Sequence, residues 1–481
     1  MIIFRNLLIL TFFFANAIQA GEIVSTKFGK VQGSTATSRD GRLFHQFLGI
    51  PYAKAERFQP PTNPDSWTDI KNASVYRPVC PQMLVTLGDS EPVKFAGTED
   101  CLNLNVFTPA LPQPDKTMAL LPVMIWFHGG GGEMEGASKY DPQYYMDFDI
   151  VVVTFDARLV KAKKFGTKVG CPVGDRAALF ECLKGKRIED LVLPFHRWFN
   201  DITEEEFLKF GPSIEYVNVE NAFMTENPFL SLKEKRISNE VPWLFTLGYQ
   251  GGFVPYMAKL LSTNDPDLEK KLNTNIRKIL PRYLDYEVTA SDPDIVTQKI
   301  MDEYFDGGDI NEGNVFQLVH LITYRFFSGP SIHSGNYYYQ VDHAPMYALM
   351  IKYVPAYGIG NTFGYNGVVE GAAMDDQSYQ FPWKPLFPGI DKNSKDYTLS
   401  KNLLGLLASF IENGKPTKTW GEFKDWQPYD PRNKSGASID KDGGFSAYFP
   451  SDEFKRGYAL FAPLYKNELA SEFQNPTKET F

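Results

Sequence analysis

One continuous apolar run limits the folds open to this chain more than any other feature of its sequence. Leu121–Phe127 reads LPVMIWF and leads into the glycines Gly129–Gly132. A strand buried on both faces of a parallel sheet, opening into a glycine loop, has this pattern. Asp149–Phe155, which reads DIVVVTF, predicts a second buried strand, and Gly136–Phe148 between them has turn and short-helix character. We therefore expect an α/β fold.

The remaining segments predict one α/β domain with helical insertions, because the sequence contains no repeat, low-complexity stretch or domain-splitting linker. Leu399–Asn413 has the apolar spacing of an amphipathic helix, and Gly414-Lys415-Pro416 is a stop signal for it. The other predicted elements are a hairpin turn at Gly29–Gly33, helical spacing over Ala177–Lys209, a strand at Val241–Leu247, a helix over Asp265–Leu280 and a β-rich run at Asn336–Asp342.

The charge balance excludes one class of partner. The 481 residues carry a formal net charge of −9, and no basic cluster of the kind that neutralises phosphates is present. We therefore exclude nucleic acid as a partner. Aromatic residues make up 15% of the chain, which fits either a densely packed core or an apolar gorge.

The first twenty residues have the pattern of a secretory signal peptide. Met1–Ala20 places Arg5 before the apolar run Leu7–Phe14, and small residues follow up to Ala20. That run is too short to span a bilayer as a membrane anchor. We therefore predict cleavage after Ala20, a mature domain of residues 21–481, an extracellular location and no membrane span.

The cysteine count agrees with a secreted chain. An even number of cysteines in such a protein suggests two disulfides, and Cys80, Cys101, Cys171 and Cys182 allow three pairings. Proximity along the chain favours Cys80–Cys101 and Cys171–Cys182. Metal binding is the alternative, but the sequence has no Cys-x-x-Cys and no close histidine pair, so we expect no metal and no cofactor.

Two asparagines lie in N-glycosylation motifs. The motifs are Asn72-Ala73-Ser74 and Asn433-Lys434-Ser435. Each predicts a surface loop that carries a glycan in a secreted protein.

Several motifs together resemble the type-B carboxylesterase/cholinesterase-like family, most closely its insect members. They follow one another along nearly the whole predicted mature domain. They are Gly49-Ile50-Pro51-Tyr52-Ala53, Glu99-Asp100-Cys101-Leu102-Asn103-Leu104-Asn105-Val106, His128-Gly129-Gly130-Gly131, Asn413-Gly414-Lys415-Pro416 and Trp426-Gln427-Pro428. The resemblance implies an α/β-hydrolase fold with a central, mostly parallel sheet and hydrolysis of carboxylic esters. It also implies that Cys171 and Cys182 form the second family disulfide, and that Gly130 and Gly131 belong to an oxyanion-hole loop.

The nucleophile that this chemistry needs is missing. The reaction uses an activated serine, a histidine base and an acid that orients the histidine. The serine lies in a Gly-x-Ser-x-Gly elbow, and no serine of this sequence has these neighbours. In the family a block with the elbow follows the segment that Val151–Phe155 resembles. Here Asp156–Val160 runs directly into Lys161–Gly166, so at least two strands of the sheet centre and their helices are predicted to be missing.

The resemblance also implies that the acid and the base are lost. The family has Glu-Gly after the strand that Val241–Leu247 resembles, and Gly251 stands at the position of that glutamate. The histidine position corresponds to Ala373, or to Met374 with a slip of one residue. None of these side chains can orient an imidazole or transfer a proton. Glu370 lies three residues too early to replace the histidine.

The six histidines do not supply a substitute base. His128 belongs to the glycine loop, where a structural role is expected. The other five lack the partner pattern of a catalytic histidine, and they are His45, His196, His320, His333 and His343. We therefore predict no catalytic residue in this chain.

These losses favour a secreted, non-catalytic member of the family that binds an apolar small-molecule ester or an extracellular protein partner. Gly251 and Ala373 lie far from the missing block in sequence, so one deletion does not explain both changes. The first alternative is an active carboxylic ester hydrolase represented by an incomplete isoform. The second is a non-functional relic, because losing one buried strand removes about four core side chains, or roughly 6–12 kcal/mol. That loss is comparable with the whole stability of a domain.

Overall fold

The computed structural model describes residues 20–84, 94–112, 119–131, 134–157, 166–167, 169–193, 225–226, 228–236, 240–252, 266–341, 344–362, 364–365, 368–382, 389–416, 420, 426–433, 435–447, 449 and 454–474. Within them the chain forms two β-sheets, a small two-stranded hairpin and helices. The predicted signal peptide, Met1–Ala20, lies outside the described residues except for Ala20, which begins the first strand.

The described strands are short and are numbered in chain order. They are β1 Ala20–Ser25, β2 Lys30–Thr37, β3 Leu43–Pro51, β4 Lys71–Asn72, β5 Gln82–Leu84, β6 Lys94–Ala96, β7 Asn103–Thr108, β8 Val123–Trp126, β9 Val151–Phe155, β10 Trp243–Gly248, β11 Met346–Ile351, β12 Ala437–Ile439 and β13 Phe445–Ser446.

The strands divide into a larger and a smaller sheet. The larger sheet has the order β1-β2-β3-β7-β9-β8, with β4 beside β2, and its parallel pairs are β8–β9 and β2–β4. The smaller sheet has the order β10-β11-β12-β13, in which only the last pair is antiparallel. Strands β5 and β6 form the separate hairpin. No described strand joins β8 of the larger sheet to β10 of the smaller one, so the described part of the sheet is divided between these two strands.

The described helices surround the smaller sheet and join it to the larger one. They are α1 Arg176–Gly185, α2 Ile188–Val192, α3 Pro228–Lys233, α4 Pro266–Thr274, α5 Ile276–Tyr283, α6 Pro293–Phe305, α7 Phe316–Ile322, α8 Gly329–Tyr339, α9 Ile359–Thr362, α10 Asp375–Gln380, α11 Lys395–Asn413 and α12 Lys455–Gln474. Short 3₁₀ turns lie at Ala137–Lys139 and Tyr145–Asp147, and a π-helical turn, Thr323–Ser328, connects α7 to α8. Within the described part of the chain, no helix is long and apolar enough to cross a membrane.

Helix α11 connects the two sheets. Its residue Leu403 is buried in one core cluster with Leu349 of the smaller sheet. The next residue, Leu404, is buried in a second cluster with Phe107 of the larger sheet. Neighbouring residues on a helix point about 100° apart, so one helix can pack apolar side chains against both sheets. The divided sheet is thereby held in one body by a continuous helix.

The ends of α11 confirm the helix predicted from the sequence. It begins after Ser394, whose hydroxyl accepts a hydrogen bond from the Tyr397 N–H at 3.1 Å. It ends at Gly414, which has a φ of +67° and therefore occupies the left-handed region that favours glycine. The start lies four residues earlier than predicted, and the end is as predicted.

Both predicted disulfides are present. Cys80 is bonded to Cys101 with a Cα–Cα distance of 5.0 Å, and Cys171 is bonded to Cys182 with 5.8 Å. The first connects the segment before β5 to the residue pair before β7. The second connects α1 to the loop that precedes it. No group of three potential metal ligands occurs among the described residues, and no described cysteine is free.

The prediction that Leu121–Phe127 is a strand buried on both faces is wrong in one respect. Strand β8 is present and parallel to β9, and its residues Met124 and Trp126 pack against the core. Val123, Ile125 and Phe127, on the other face, are 56%, 55% and 75% exposed. β8 is the last described strand of the larger sheet and has a described strand beside it on one side only.

The prediction of a β-rich run at Asn336–Asp342 is also wrong. Its first four residues belong to helix α8. The Tyr338 hydroxyl donates a hydrogen bond to the Val241 carbonyl at 3.0 Å, and its ring meets that of Trp243 at 5.5 Å. These tertiary contacts stabilise a helix in a segment whose tyrosines favour strands.

Other predicted elements are confirmed with shifted bounds. The strand at Val241–Leu247 is β10, and the described part of Ala177–Lys209 forms α1 and α2. The helix over Asp265–Leu280 is two helices, α4 and α5, separated at Asn275. The first hairpin turns at Thr26–Gly29, a few residues before the predicted place, and the Thr26 hydroxyl donates to the Gly29 carbonyl at 2.8 Å.

Candidate functional site

The structure brings the loop after β10 against the loop before α10. The Gln250 N–H donates to the Glu370 carbonyl at 2.9 Å, and the Glu370 N–H donates to Gln250 Oε1 at 2.7 Å. A parallel β-bridge also pairs Gln250 with Ala372. The predicted acid position, Gly251, and base position, Ala373, each follow one of these bridged residues. The two positions at which the acid and the base are predicted to be lost therefore lie in one small region at the carboxyl end of β10.

Backbone contacts fix how closely the two loops approach each other. A Cβ added to Gly248 would lie 2.4 Å from the Gly371 carbonyl oxygen. Gly371 has a φ of +58°, and a Cβ there would lie 2.0 Å from the Ile351 carbonyl oxygen. Carbon and oxygen do not approach so closely, so both positions require glycine for this arrangement.

The acid position itself is packed against the π-helical turn. The Gly251 N–H donates to the Gly248 carbonyl at 3.2 Å, and a Cβ on Gly251 would lie 3.6 Å from the Phe327 ring. The next amide, that of Gly252, donates to Thr323 Oγ1 at 2.8 Å. A glycine leaves no carboxylate here, so nothing at this position accepts a hydrogen bond from an imidazole.

The base position precedes a carboxylate that is used for structure. Ala373 is half-buried, and Met374, the alternative base position, has a φ of +74°. Asp375 is buried; its Oδ1 accepts the Ile359 N–H at 2.8 Å and its Oδ2 accepts the Ala372 N–H at 3.1 Å. Burial raises the pKa of Asp375 to about 7, and these two backbone hydrogen bonds oppose the rise. The base loop thus has an acid that holds its backbone and no proton-accepting side chain at Ala373 or Met374.

The glycine loop after β8 is held by residues that the sequence analysis missed. Gln82 brackets the backbone of Glu135, since its Oε1 accepts the Glu135 N–H at 2.7 Å and its Nε2 donates to the Glu135 carbonyl at 2.6 Å. The Glu135 carboxylate contacts Lys139 Nζ and the Tyr140 hydroxyl. Glu135 and Lys139 are four residues apart in the sequence, and this spacing could have predicted their ion pair.

The predicted oxyanion-hole residues, Gly130 and Gly131, lie in this loop. Their φ angles are +93° and +60°. A Cβ on Gly130 would lie 2.1 Å from the Met134 carbonyl oxygen, so the turn requires glycine there. Neither amide donates a hydrogen bond to another described residue. The backbone N–H groups of these two glycines are therefore not used in hydrogen bonds among the described residues.

Aromatic contacts connect the glycine loop to helix α10. Tyr140 donates a hydrogen bond to Gln377 Oε1 at 3.4 Å, and its ring meets Phe381 edge-on at 5.3 Å. Tyr145 donates to Gln380 Oε1 at 2.6 Å. Burial raises the pKa of both tyrosines far above the usual value, so they stay protonated. The three loops of the predicted site are thus connected, and the connection uses groups that do not transfer protons at neutral pH.

The described histidines do not form a catalytic pair. His128 is half-buried and its Nδ1 lies 3.0 Å from the Gly129 carbonyl oxygen. His320 meets Tyr249 ring-to-ring at 5.9 Å, and His333 meets Tyr337 at 4.9 Å. His45 lies in β3, in register with Thr35 and Thr108. His196 and His343 lie outside the described residues.

The two glycosylation motifs are on the surface. Asn72 and Asn433 are exposed. In each motif the asparagine Oδ1 accepts the N–H of the serine two residues on, at 2.9 Å for Ser74 and at 2.9 Å for Ser435. Both asparagine side chains are therefore accessible, but the prediction of a loop is wrong at Asn72, which is the last residue of β4 and pairs with Gln32 of β2.

A family model matches most of the chain. The model described as the carboxylesterase family matches residues 20–160 and 156–449. The two matched pieces meet at residues 156–160.

Two curated insect proteins resemble the chain over most of their length. Esterase E4 of Myzus persicae is 23% identical over 508 aligned positions, which cover 84% of this chain and 88% of that protein. A juvenile hormone esterase of Tribolium castaneum is 25% identical over 509 positions, covering 82% and 84%.

Two solved structures share the fold. A juvenile hormone esterase from Manduca sexta with OTFP covalently attached superposes with a TM-score of 0.75 at 18% identity, covering 93% of this chain and all of that one. A PNB esterase superposes with a TM-score of 0.63 at 20% identity, covering 91% and 99%. The predicted α/β-hydrolase fold is confirmed by these neighbours. The described sheets are mixed and not mostly parallel, since four of the ten described strand pairs are parallel.

Proposed function

The chain belongs to the carboxylesterase family, and we propose that it is a secreted member that no longer hydrolyses esters and instead binds a ligand or a partner. In this proposal, residues 21–481 form a single domain. Its ligand would be an apolar small-molecule ester or an extracellular protein.

One observation carries this proposal. The loops at Gly251 and Ala373 meet through the Gln250–Glu370 hydrogen bonds, yet neither position has a side chain able to hold or replace a histidine base. The sequence also has no Gly-x-Ser-x-Gly elbow for the nucleophile. Oxyanion donors are worth roughly 3–4 kcal/mol each only when a tetrahedral intermediate forms, and no group here starts one.

The alignments support the loss of the elbow block. Of the 481 residues, 84% is about 404, so about 104 of the 508 positions aligned with Esterase E4 pair with no residue of this chain. The family model also breaks at residues 156–160, where Asp156–Val160 runs into Lys161–Gly166. The division between β8 and β10 agrees with strands missing from the sheet centre.

An ester-hydrolysis assay tests the proposal. We expect the purified protein to hydrolyse p-nitrophenyl butyrate no faster than buffer, because loss of a whole triad costs on the order of 10⁶ in kcat in a serine protease. The variant with Gly251→Glu and Ala373→His together is also expected to be inactive, since it still lacks the nucleophile. Turnover that an organophosphate blocks, or a covalent phosphoryl adduct found by mass spectrometry, would refute the proposal.

The second candidate function is that of an active esterase, of which this chain would be an incomplete isoform. The positions of the Esterase E4 alignment that pair with no residue of this chain favour this candidate. A longer transcript that encodes Gly-x-Ser-x-Gly would support this candidate. The changes at Gly251 and Ala373 oppose it, because a restored elbow would still lack its acid and base.

Secretion is proposed from the signal-peptide pattern together with the two disulfides. We expect insect cells that express the full chain to release it with Gly21 as its first residue, as determined by N-terminal sequencing. Peptide N-glycosidase should lower its mass, and Asn72→Gln and Asn433→Gln should each remove one glycan. Retention in the cytosol without glycans would contradict both parts of the proposal.

A further inference from the structure

One five-residue pattern occurs twice in the sequence, each time where a helix ends. The first basic motif, Lys184-Gly185-Lys186-Arg187-Ile188, begins at the end of α1. The second basic motif, Lys233-Glu234-Lys235-Arg236-Ile237, begins at the end of α3, and its isoleucine lies outside the described residues. Each has three basic residues in four positions, the last two of them Lys-Arg. Endoproteases with acidic pockets recognise basic side chains placed in this way before the bond that they cut.

The first basic motif lies on the surface with an extended main chain. The Arg187 side chain is 73% exposed. Lys186 has φ −72° and ψ 148°, and Arg187 has φ −65° and ψ 148°, so both are extended, as a peptide is when it pairs with a protein edge. Arg57 holds the carbonyls of Lys184 and Lys186, and helix α2, which follows, has only five residues. The bond after Arg187 therefore needs only a local opening to be bound.

The second basic motif is equally exposed but differently folded. Glu234, Lys235 and Arg236 are exposed, and Lys235 has a φ of +60°. The Lys235 N–H donates to the Leu232 carbonyl at 3.1 Å, and the Arg236 N–H donates to the Ser231 carbonyl at 2.8 Å. A protease can bind this segment as an extended chain only after these bonds at the end of α3 open. We therefore expect the second motif to be cut more slowly than the first.

Surface ion pairs offset part of the positive charge of both motifs. Arg187 Nη2 lies 2.8 Å from Asp190 Oδ1, and the Arg236 guanidinium contacts Glu226 and Glu234. Exposed pairs of this kind contribute little to stability, so they do not lock the arginines in place. The acidic partners also make each patch a poor ligand for an anionic polymer, whereas a protease recognises the order of side chains along the chain.

The third Lys-Arg of the sequence is placed where a protease cannot bind it. Lys455 and Arg456 are exposed, but they lie in the first turn of α12, and the Arg456 guanidinium lies 5.0 Å from the centre of the Tyr304 ring. A Cβ on Gly457 would lie 2.3 Å from the Tyr324 ring, so the backbone after Arg456 is packed against the core. This site is a control within the same chain.

We propose that Arg187 and Arg236 are processing sites, at which a secretory endoprotease specific for paired basic residues cuts the chain. Each cut consumes one water, which leaves a carboxylate on the arginine and an amino group on the isoleucine that follows. The two cuts sever residues 188–236 from the chain at both ends. This inference goes beyond the proposed function and takes from it only the secretory route, on which such proteases act.

The remaining pieces, 21–187 and 237–481, should stay together without a covalent bond. All four cysteines precede Arg187, so neither disulfide connects the two pieces. Leu404 of the second piece is buried in one cluster with Phe107 of the first. We therefore expect a protein of two chains held by the packing of α11 on the larger sheet.

Digestion of the purified, folded chain with kexin, which cuts after Lys-Arg, tests the sites. We expect new N-termini at Ile188 first and at Ile237 later, and none at Gly457. After denaturation in urea, Gly457 should also appear as a new N-terminus. A folded chain that stays intact at either basic motif, or that is cut before Gly457 as fast as before Ile188, would overturn the proposal.

Matched variants identify the two bonds. Arg187→Gln should slow the first cut by about a hundredfold or more and leave the second unchanged, and Arg236→Gln should do the reverse. Arg277→Gln replaces an exposed arginine of α5 outside both motifs and should leave both cuts unchanged. Cutting of the Arg187→Gln chain before Ile188 at the original rate would contradict the assignment.

The chain released by insect cells tests processing and secretion separately. We expect denaturing electrophoresis without reductant to resolve the pieces 21–187 and 237–481, and size-exclusion chromatography to show that they elute together. A released chain that is intact after Arg187 and Arg236 would overturn the processing and leave the proposal of secretion standing. Pieces that elute separately would overturn the protein of two chains.

Discussion

Leu404→Ala is expected to lower the free energy of unfolding by about 2–5 kcal/mol, the usual range for truncating a fully buried leucine. Leu404 is buried in the cluster that contains Phe107 and Val152 of the larger sheet. Because α11 connects that sheet to the smaller one, the cavity should weaken the attachment of the larger sheet in particular. Chemical denaturation followed by circular dichroism measures the loss.

The neighbouring residue, Leu403, tests whether the two sides of α11 hold different sheets. Leu403→Ala should cost a similar amount, but Leu403 packs with Leu349 and Ile439 of the smaller sheet. Hydrogen exchange should therefore accelerate in β7 and β9 for Leu404→Ala, and in β11 and β12 for Leu403→Ala. Two variants one residue apart would then loosen different sheets.

The control lies on the same helix. A Cβ on Gly405 would meet no atom within 4 Å, so Gly405→Ala should keep both contacts and stabilise the helix by up to about 1 kcal/mol. Identical exchange patterns for the two leucine variants would show that α11 does not connect two separable sheets.

The sequence predicted those parts of the fold that depend on local signals. The Leu399–Asn413 pattern and Gly414 identified α11, because apolar spacing and a left-handed cap are both local. It did not reveal that β8 has an exposed face, because exposure depends on which distant parts of the chain pack over that face. The tyrosines of α8 favour strands as single residues, and only contacts such as Tyr338 with Trp243 explain the helix.

The sequence predicted the positions of the candidate site but not the residues that hold its loops. The positions Gly251 and Ala373 came from the family resemblance, and the structure brings their loops together. The residues that hold those loops were missed, because Gln82 lies 53 positions from Glu135 and Gln250 lies 120 positions from Glu370. A single sequence does not indicate which residue, so far along the chain, a polar side chain will hydrogen-bond.

The free energy of unfolding should fall as the pH rises from about 4 to about 7, owing to Asp375. Its carboxyl is buried, so its pKa in the folded protein is about 7, against an ordinary value of 3.8. Between these values the folded state binds the proton that the unfolded state has lost, and stability then decreases with pH. The decrease approaches about 1.4 kcal/mol per pH unit, or roughly 4 kcal/mol over three units. The carboxylates of Asp376, which is half-buried, and of Asp396 also raise the pKa of Asp375.

Asp375→Asn isolates this contribution, because an amide does not titrate, and the loss of one acceptor oxygen lowers stability equally at every pH. Between pH 5 and pH 8 the difference in unfolding free energy should shift in favour of the variant by about 3 kcal/mol, because the folded-state proton is lost near pH 7. Asp69→Asn makes the same substitution at an exposed carboxylate and serves as the matched control. Urea denaturation at each pH gives the three curves. If Asp375→Asn runs parallel to the unaltered protein, the carboxyl is ionised throughout, and its two backbone hydrogen bonds outweigh its burial.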